Sequence, residues 1–264
     1  MKLVVFSDIH YALRPLDSYK AKRKLSQFAL PVVDKLIDII NNRICPDVVV
    51  NLGDLIEDVH NSVQDIENFQ LIWNVLQKIN RPFYSAIGNT ETRSISKVML
   101  KEMMGYKSHT FSVDIKGYHL VILGITAKHN ADGTYIIQFL KEDLNWLKRD
   151  LQQNNLPCLI FTHYGLAEDN MKGNWWYEKC PQVAVLQERK EIKQILERDN
   201  HVIAIFSGHQ HWTKKCRENG LDYYICGSLT ENIQDDGIPD GVYFEIDIIN
   251  QTIKLQEHHI KLDI

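Results

Sequence analysis

The sequence predicts an α/β fold, and three observations carry that prediction. Short apolar runs alternate with stretches of helical periodicity, which is the pattern of βαβ units. A hairpin signal around Lys116-Gly117 marks a change from parallel to antiparallel structure, so a second sheet is expected. Several apolar runs stop abruptly at a glycine or a polar residue. That puts polar side chains at the carboxyl ends of strands, where open α/β sheets hold their ligands. At 264 residues the chain can bury a core of its own. With no Gly/Ser-rich or Pro-rich linker, low-complexity tract or internal repeat, residues 1–264 are read as one domain.

Taken in order, Leu3–Phe6 is the first strand and runs into Ser7-Asp8-Ile9-His10, where an i,i+2 pair on extended backbone faces one way. Residues 11–23 read as a loop with basic character (Arg14, Lys20, Lys22, Arg23), either a solvated surface or a phosphate contact. Leu30, Val33, Leu36, Ile37 and Ile40 recur at helical spacing, so a helix spans Phe28–Ile40. Asp47–Asp54 then forms a buried strand through Val48–Val50, and Gly53 turns the chain so that Asp54 stands at the strand's end. A second helix is expected over Ile66–Ile79, stopped by Pro82. The strand Phe83–Ile87 ends in Gly88-Asn89-Thr90-Glu91, and Thr110–Val113 pairs with Tyr118–Ile125 as the hairpin. Phe139–Leu151 is a helix, and Leu156–Phe161 is a strand ending in Thr162-His163.

Periodicity lapses between Gly165 and Gln187, where Lys172-Gly173-Asn174-Trp175-Trp176-Tyr177 carries three aromatics. Trp175 and Trp176 either contact substrate or cap the core beneath the loop. Glu188–Arg198 is an amphipathic helix, and Val202–Phe206 leads into Ser207-Gly208-His209-Gln210-His211. Leu221–Cys226, with Val242–Ile248 and Thr252–Leu255 joined at Asn250, completes an antiparallel edge, after which His258 and His259 are read as tail residues.

Composition narrows the function classes. Lys and Arg total 30 against 34 Asp and Glu, and a formal charge of −4 gives no reason to expect nucleic acid as partner. MKLVVFSDIH has too few consecutive apolar residues for a signal peptide or membrane helix, so a cytoplasmic protein is expected. The five cysteines are widely spaced with no C-x-x-C pair, which argues against a disulfide framework or a thiolate zinc site.

Asp8, His10, Asp54, Asn89, His163, His209 and His211 each follow a short apolar strand. If the central strands run alike, these side chains converge along one sheet edge. Imidazoles, carboxylates and a carboxamide without thiolate suit two divalent cations such as Mn, Fe or Zn, with a carboxylate at a turn as the natural bridge. Asp8-x-His10, Gly53-Asp54, Gly88-Asn89-x-Glu91, His163 and Gly208-His209-x-His211 resemble, as an ordered set, the calcineurin-like metallophosphoesterase superfamily. The resemblance implies a four-layer αββα sandwich of two mixed sheets and a metal-dependent hydrolase of phosphate esters. Carried over by position, Asp8, His10, Asp54 and His211 would hold one ion, and Asp54, Asn89, His163 and His209 the other.

The expected chemistry is hydrolysis by a water that the two cations activate, with Asp54, Asn89 and Thr90 at the reacting centre and Arg93, Trp175 and Trp176 toward the substrate. The C-terminal run from Gly227-Ser228 to Gly241 and the Trp-bearing loop look most like cyclic-nucleotide phosphodiesterases and Mn-dependent ADP-ribose/CDP-alcohol diphosphatases. A small phosphate ester, nucleotide-like, is the expected partner; the oligomeric state is left open. The other readings are a phosphomonoesterase of the same superfamily and a catalytically weak scaffold that binds a protein partner. Thr90 departs from the superfamily's usual histidine, and His60, His109 and His129 are the other imidazoles that could take over a proton transfer.

Overall fold

Strand β1 (Lys2–Phe6) is buried from Leu3 onward, as an apolar run with both faces covered should be. In the computed structural model, which describes residues 1–15, 21–132 and 134–262, it is followed by a short turn of helix α1 (Ala21–Lys24) and by α2 (Ala29–Asp38), which π-helical turns extend over Ile39–Ile44. Next come β2 (Val48–Asn51), α3 (Ser62–Leu76), β3 (Phe83–Ser85), α4 (Asn89–Ser94) and α5 (Lys97–Met104). The hairpin is β4 (Phe111–Ile115) and β5 (Tyr118–Leu123); a separate ribbon, β6 (Thr126–His129) and β7 (Tyr135–Gln138), follows it. The rest of the chain is α6 (Lys141–Gln153), β8 (Cys158–Thr162), α7 (Arg189–Leu196), β9 (Val202–Ser207), β10 (Lys214–Glu218), β11 (Leu221–Ile225), β12 (Gly241–Ile249) and β13 (Thr252–Ile260).

Among the described residues the first sheet runs β13-β12-β1-β2-β3 and the second β10-β11-β9-β8-β5-β4. Both are mixed: β1, β2 and β3 are parallel, as are β5, β8, β9 and β11, while β4, β10, β12 and β13 run against their neighbours. Alternation of side chains along each strand divides the core in two. Val5, Val48, Val50, Leu120, Phe161, Phe206 and Phe244 fill the space between the sheets. Val4, Phe6 and Val49 on one side, and Val121, Ile160 and Ile205 on the other, belong to the core that the helices cover. Helix α2 packs with α3, and α6 with α7, so the order of layers is helix, sheet, sheet, helix.

Two assignments differ from the sequence reading. Leu221–Cys226 does not join the β12–β13 edge: β11 lies parallel to β9 in the second sheet, with β10 closing that sheet outside it. His258 and His259 are not tail residues but sit on β13, where His259 Nδ1 is 2.8 Å from Asp240 Oδ1. Lys20 lies outside the described residues. No described helix is long and apolar enough to cross a membrane.

An ion cluster on the β4–β5 hairpin, with His119 buried between Asp114 and Asp150, is expected to make the stability of the second sheet pH-dependent. His119 Nδ1 is 2.6 Å from Asp114 Oδ1, and its Nε2 is 2.8 Å from Asp150 Oδ2 on α6. Burial opposes the charged imidazole, but Asp150 and Asp114 outweigh it and raise the pKa above its ordinary value. A raised folded-state pKa means stability that is fully present below about pH 6.5 and is lost as pH rises through the folded value. His119→Gln is therefore expected to cost roughly 1–3 kcal/mol near pH 5.5, with the gap to wild type narrowing as pH rises through the raised folded-state pKa. Thermal melts of both proteins across that range check it, and a pH-independent gap refutes it.

Candidate metal centre

The seven candidate ligands gather at the carboxyl ends of β1, β2, β8 and β9 and in the turn that opens α4. The backbone is bent sharply to present them: Asp8, His10, Asp54, His209 and His211 all have positive φ, between 50° and 66°, so Asp8 and His10 are not on the extended backbone that the sequence suggested. This region is costly for residues with a Cβ and persists where surrounding structure enforces it, characteristically at functional sites. The enforcement is visible. Asp8 N–H donates to Gly53 O and His10 N–H to Asp54 O, both at 3.0 Å, and Ser228 Oγ donates to Asp8 O at 2.7 Å. Two glycines are required by close approach: a Cβ on Gly88 would stand 2.0 Å from Asp54 Oδ1, and one on Gly208 would stand 1.9 Å from Ser7 Oγ.

The ligand atoms form two clusters, Asp8 with His10 and His211, and Asp54 with His163 and His209, each within 4.8 Å and fully buried. Asp54 reaches both: its Oδ1 is 3.3 Å from His163 Nε2 and its Oδ2 is 3.7 Å from His10 Nε2. The Asn89 amide belongs to the second half. Turned one way, its nitrogen donates to His163 Nε2 and His209 Nδ1, at 3.1 and 2.8 Å, while its oxygen accepts from Thr90 N–H and Arg93 Nη2. Turned the other way, the oxygen lies 3.1 Å from His163 Nε2 and is offered inward as a ligand.

Whether these residues fit cations is decided by where the protons sit. His211 Nδ1 donates to Glu231 Oε2 at 2.7 Å, His163 Nδ1 to Leu52 O at 2.9 Å and His209 Nε2 to Val183 O at 3.2 Å, while His10 Nδ1 faces Glu57 Oε2 at 3.1 Å. His211, His163 and His209 thus keep an N–H outward and turn the other nitrogen, with its lone pair, inward, and His10, whose Nδ1 makes no hydrogen bond but faces the Glu57 carboxylate, is turned the same way. His10 Nε2 and His211 Nε2 consequently face each other at 2.9 Å, beside an Asp8 Oδ1 that has no hydrogen-bond partner. Acceptors converging on one point require positive charge between them. Burial lowers the pKa of His163, but Asp54 and Asp8 raise it to about 9; burial lowers that of His211, but Asp8 and Glu231 raise it to about 9. His209, by contrast, falls to about 3 through burial and the charge on His163. The donor set, all nitrogen and oxygen, fits two divalent cations.

Of the residues placed near the reacting centre, Thr90 is buried and its N–H donates to Asp54 Oδ1 at 3.0 Å. Its hydroxyl has no hydrogen-bond partner among the described residues. Arg93 on α4 lies within reach of Asn89, with its Cζ 5.3 Å from the Tyr135 ring centre and its Nη1 3.9 Å from Asp58 Oδ2. The two tryptophans differ in setting: Trp175 is 41% exposed, whereas the Trp176 ring lies 5.0 Å from that of His211, tilted by 57°, and donates its indole N–H to Glu231 Oε1 at 3.1 Å. None of His60, His109 and His129 joins either cluster.

Sequence reasoning missed Glu57 and Glu231, which back His10 and His211. It quoted Glu91 without a role. That carboxyl accepts from Gly88 N–H at 2.9 Å and from the N–H groups of Leu55 and Ile56, stitching the Asp54 turn to the Asn89 turn. Only Glu57, three residues after Asp54, carried a local signal.

The family model for calcineurin-like phosphoesterases matches residues 1–213. An uncharacterized protein of Acanthamoeba polyphaga mimivirus, L509, is 25% identical over 230 residues, covering 81% of this chain and 76% of its own length. The crystal structure of a dimetal phosphatase from Danio rerio is similar with a TM-score of 0.78 at 13% identity, covering 98% of both chains. A purple acid phosphatase from yellow lupin is similar with a TM-score of 0.64 at 13% identity, where the match spans 98% of this chain and 51% of the lupin chain.

Proposed function

This chain belongs to the calcineurin-like phosphoesterase family and is a metal-dependent phosphoester hydrolase, and we propose that its substrates are nucleotide-type phosphodiesters or pyrophosphate esters. The observation that carries the proposal is a cavity of about 220 Å³ that begins at His211 and is lined by Trp175, Trp176, Trp212, Arg23 and Ile233. It is aromatic and of a size to take a nucleobase, and it opens beside the ligand cluster where a phosphoryl group would be held.

Asp8, His10, Asp54 and His211 would hold one cation and Asp54, Asn89, His163 and His209 the other, with Mn, Fe or Zn suited to the donors. When bound, such a pair lowers the pKa of a water and offsets charge developing on the phosphoryl oxygens. The chain's own contribution is position. The bent strand ends would fix the ligands before substrate arrives, Arg93 beside Asn89 would meet a phosphoryl oxygen, and Trp175 would offer a face to the leaving nucleoside.

Base stacking on an aromatic side chain contributes roughly 1–3 kcal/mol, so Trp175→Ala should raise KM for nucleotide esters on the order of 10–100-fold and leave a small aryl phosphodiester nearly unchanged. Trp176→Ala should instead lower kcat for both, because its indole steadies Glu231 behind His211. Steady-state kinetics on the two substrate classes distinguish these outcomes. Equal KM effects from Trp175→Ala on both classes would remove the nucleobase from the proposal.

A further inference from the structure

Two consecutive basic residues stand behind the Asp8 half of the centre. Lys24 Nζ is 2.6 Å from Glu57 Oε2, the oxygen that faces His10 Nδ1 at 3.1 Å. Arg23 Nε donates to Glu231 Oε1 at 2.5 Å, and the other oxygen of that carboxylate accepts from His211 Nδ1. Each imidazole of this half therefore faces a carboxylate, Glu231 buried and Glu57 half-buried, and each carboxylate is held by a cation from α1. The other half is built differently, since His163 and His209 donate to the backbone carbonyls of Leu52 and Val183. The aromatic loop closes over the pair: Arg23 Cζ and Lys24 Nζ each lie 5.3 Å from a ring centre, of Trp175 and Trp176 respectively. The carbonyl of Arg23 also accepts from Asn232 N–H at 2.8 Å, tying α1 to the segment that carries Glu231.

We infer that Arg23 and Lys24 are positioning residues for a divalent cation in the Asp8 half: they hold Glu231 and Glu57 in place and, through them, keep His211 and His10 with Nε2 turned inward. The inference rests on the two-cation reading of the site. Orientation and bare charge predict opposite signs here. A carboxylate buried without its partner is free to leave the imidazole it orients, and loss of such outer contacts weakens metal binding. Charge alone works the other way, because removing a positive group near a cation site lowers the repulsion felt by the incoming ion.

The test is an equilibrium titration of chelator-treated full-length protein with Mn²⁺, following free Mn²⁺ by electron paramagnetic resonance. Wild type is expected to bind about two ions per chain. Lys24→Met and Arg23→Gln should each raise the Kd of one ion by roughly 10–100-fold and leave the other unchanged. Glu57→Gln should behave like Lys24→Met, and the Lys24→Met/Glu57→Gln double variant should be no weaker than Glu57→Gln alone, since the two act in series. Lys24→Arg should restore binding. Unchanged or tighter binding in Lys24→Met and Arg23→Gln overturns the inference, as does equal weakening of both ions together with a lowered Tm of the ion-free variants. If wild type itself binds fewer than two ions, the two-cation reading fails and takes this inference with it.

Discussion

Asp54→Asn is expected to abolish most of the activity, by about 10³-fold or more in kcat, while the protein stays folded. The geometry explains the size. Asp54 Oδ1 lies in the His163 half and Oδ2 in the His10 half, so this one carboxylate serves both clusters. It is wholly buried, and the charges of His163 and His10 overcome its desolvation and hold its pKa below the ordinary carboxylate range. An asparagine keeps the shape but would turn an N–H₂ group toward one of the two cations that the clusters would hold, and would remove a negative charge that the pair would share. A loss of 10³ corresponds to about 4 kcal/mol of transition-state stabilisation. Bound metal should fall below two ions per chain, which elemental analysis of protein purified without chelator measures. Near wild-type turnover on an aryl phosphodiester would refute a shared bridging role for Asp54.

The site was legible because the strands that deliver it are buried on both faces. Val48–Val50 and Leu159–Phe161 read as uninterrupted apolar runs, and the polar residue that ends such a run is conspicuous. What was not legible lacks that contrast. Strand β10 is Lys-Lys-Cys-Arg-Glu, a half-exposed edge whose charges are what an edge strand needs and what makes it look like a loop. Helix α4 has no apolar residue after Gly88, and its sequence reads as a turn. The sheet membership of β11 depends on pairing with β9, a non-local fact that chain order does not reveal. Glu231 stands 20 residues from His211 in sequence, so its bond to that ligand could not be seen from spacing.

Esters with poor leaving groups should be hydrolysed badly, and Thr90→His should improve them by roughly 10²-fold. Thr90 follows Asn89 at the opening of α4 with its backbone N–H fixed on Asp54 Oδ1, so its side chain is anchored beside the candidate metal cluster. A hydroxyl there can donate a hydrogen bond to a leaving oxygen but cannot deliver a proton near neutral pH, and proton delivery typically contributes 10²–10⁴-fold. Among the described residues, none of the three other candidate imidazoles joins either ligand cluster: His109 is buried with its Nε2 on Lys97 O, the His60 side chain is 76% exposed, and His129 is exposed with its ring 5.9 Å from that of Tyr135. The wild-type rate should therefore fall steeply as leaving-group pKa rises, favouring nitrophenolate or a nucleoside phosphate over a simple alkoxide. An imidazole at position 90 restores an acid with a pKa near the working range and should flatten that slope mainly at its alkyl end. Rates for a graded ester series on wild type and Thr90→His, with melting curves to confirm that the larger side chain is accommodated, decide the matter. Matching slopes in two folded proteins would mean that the leaving oxygen does not depart on the Thr90 side of the site.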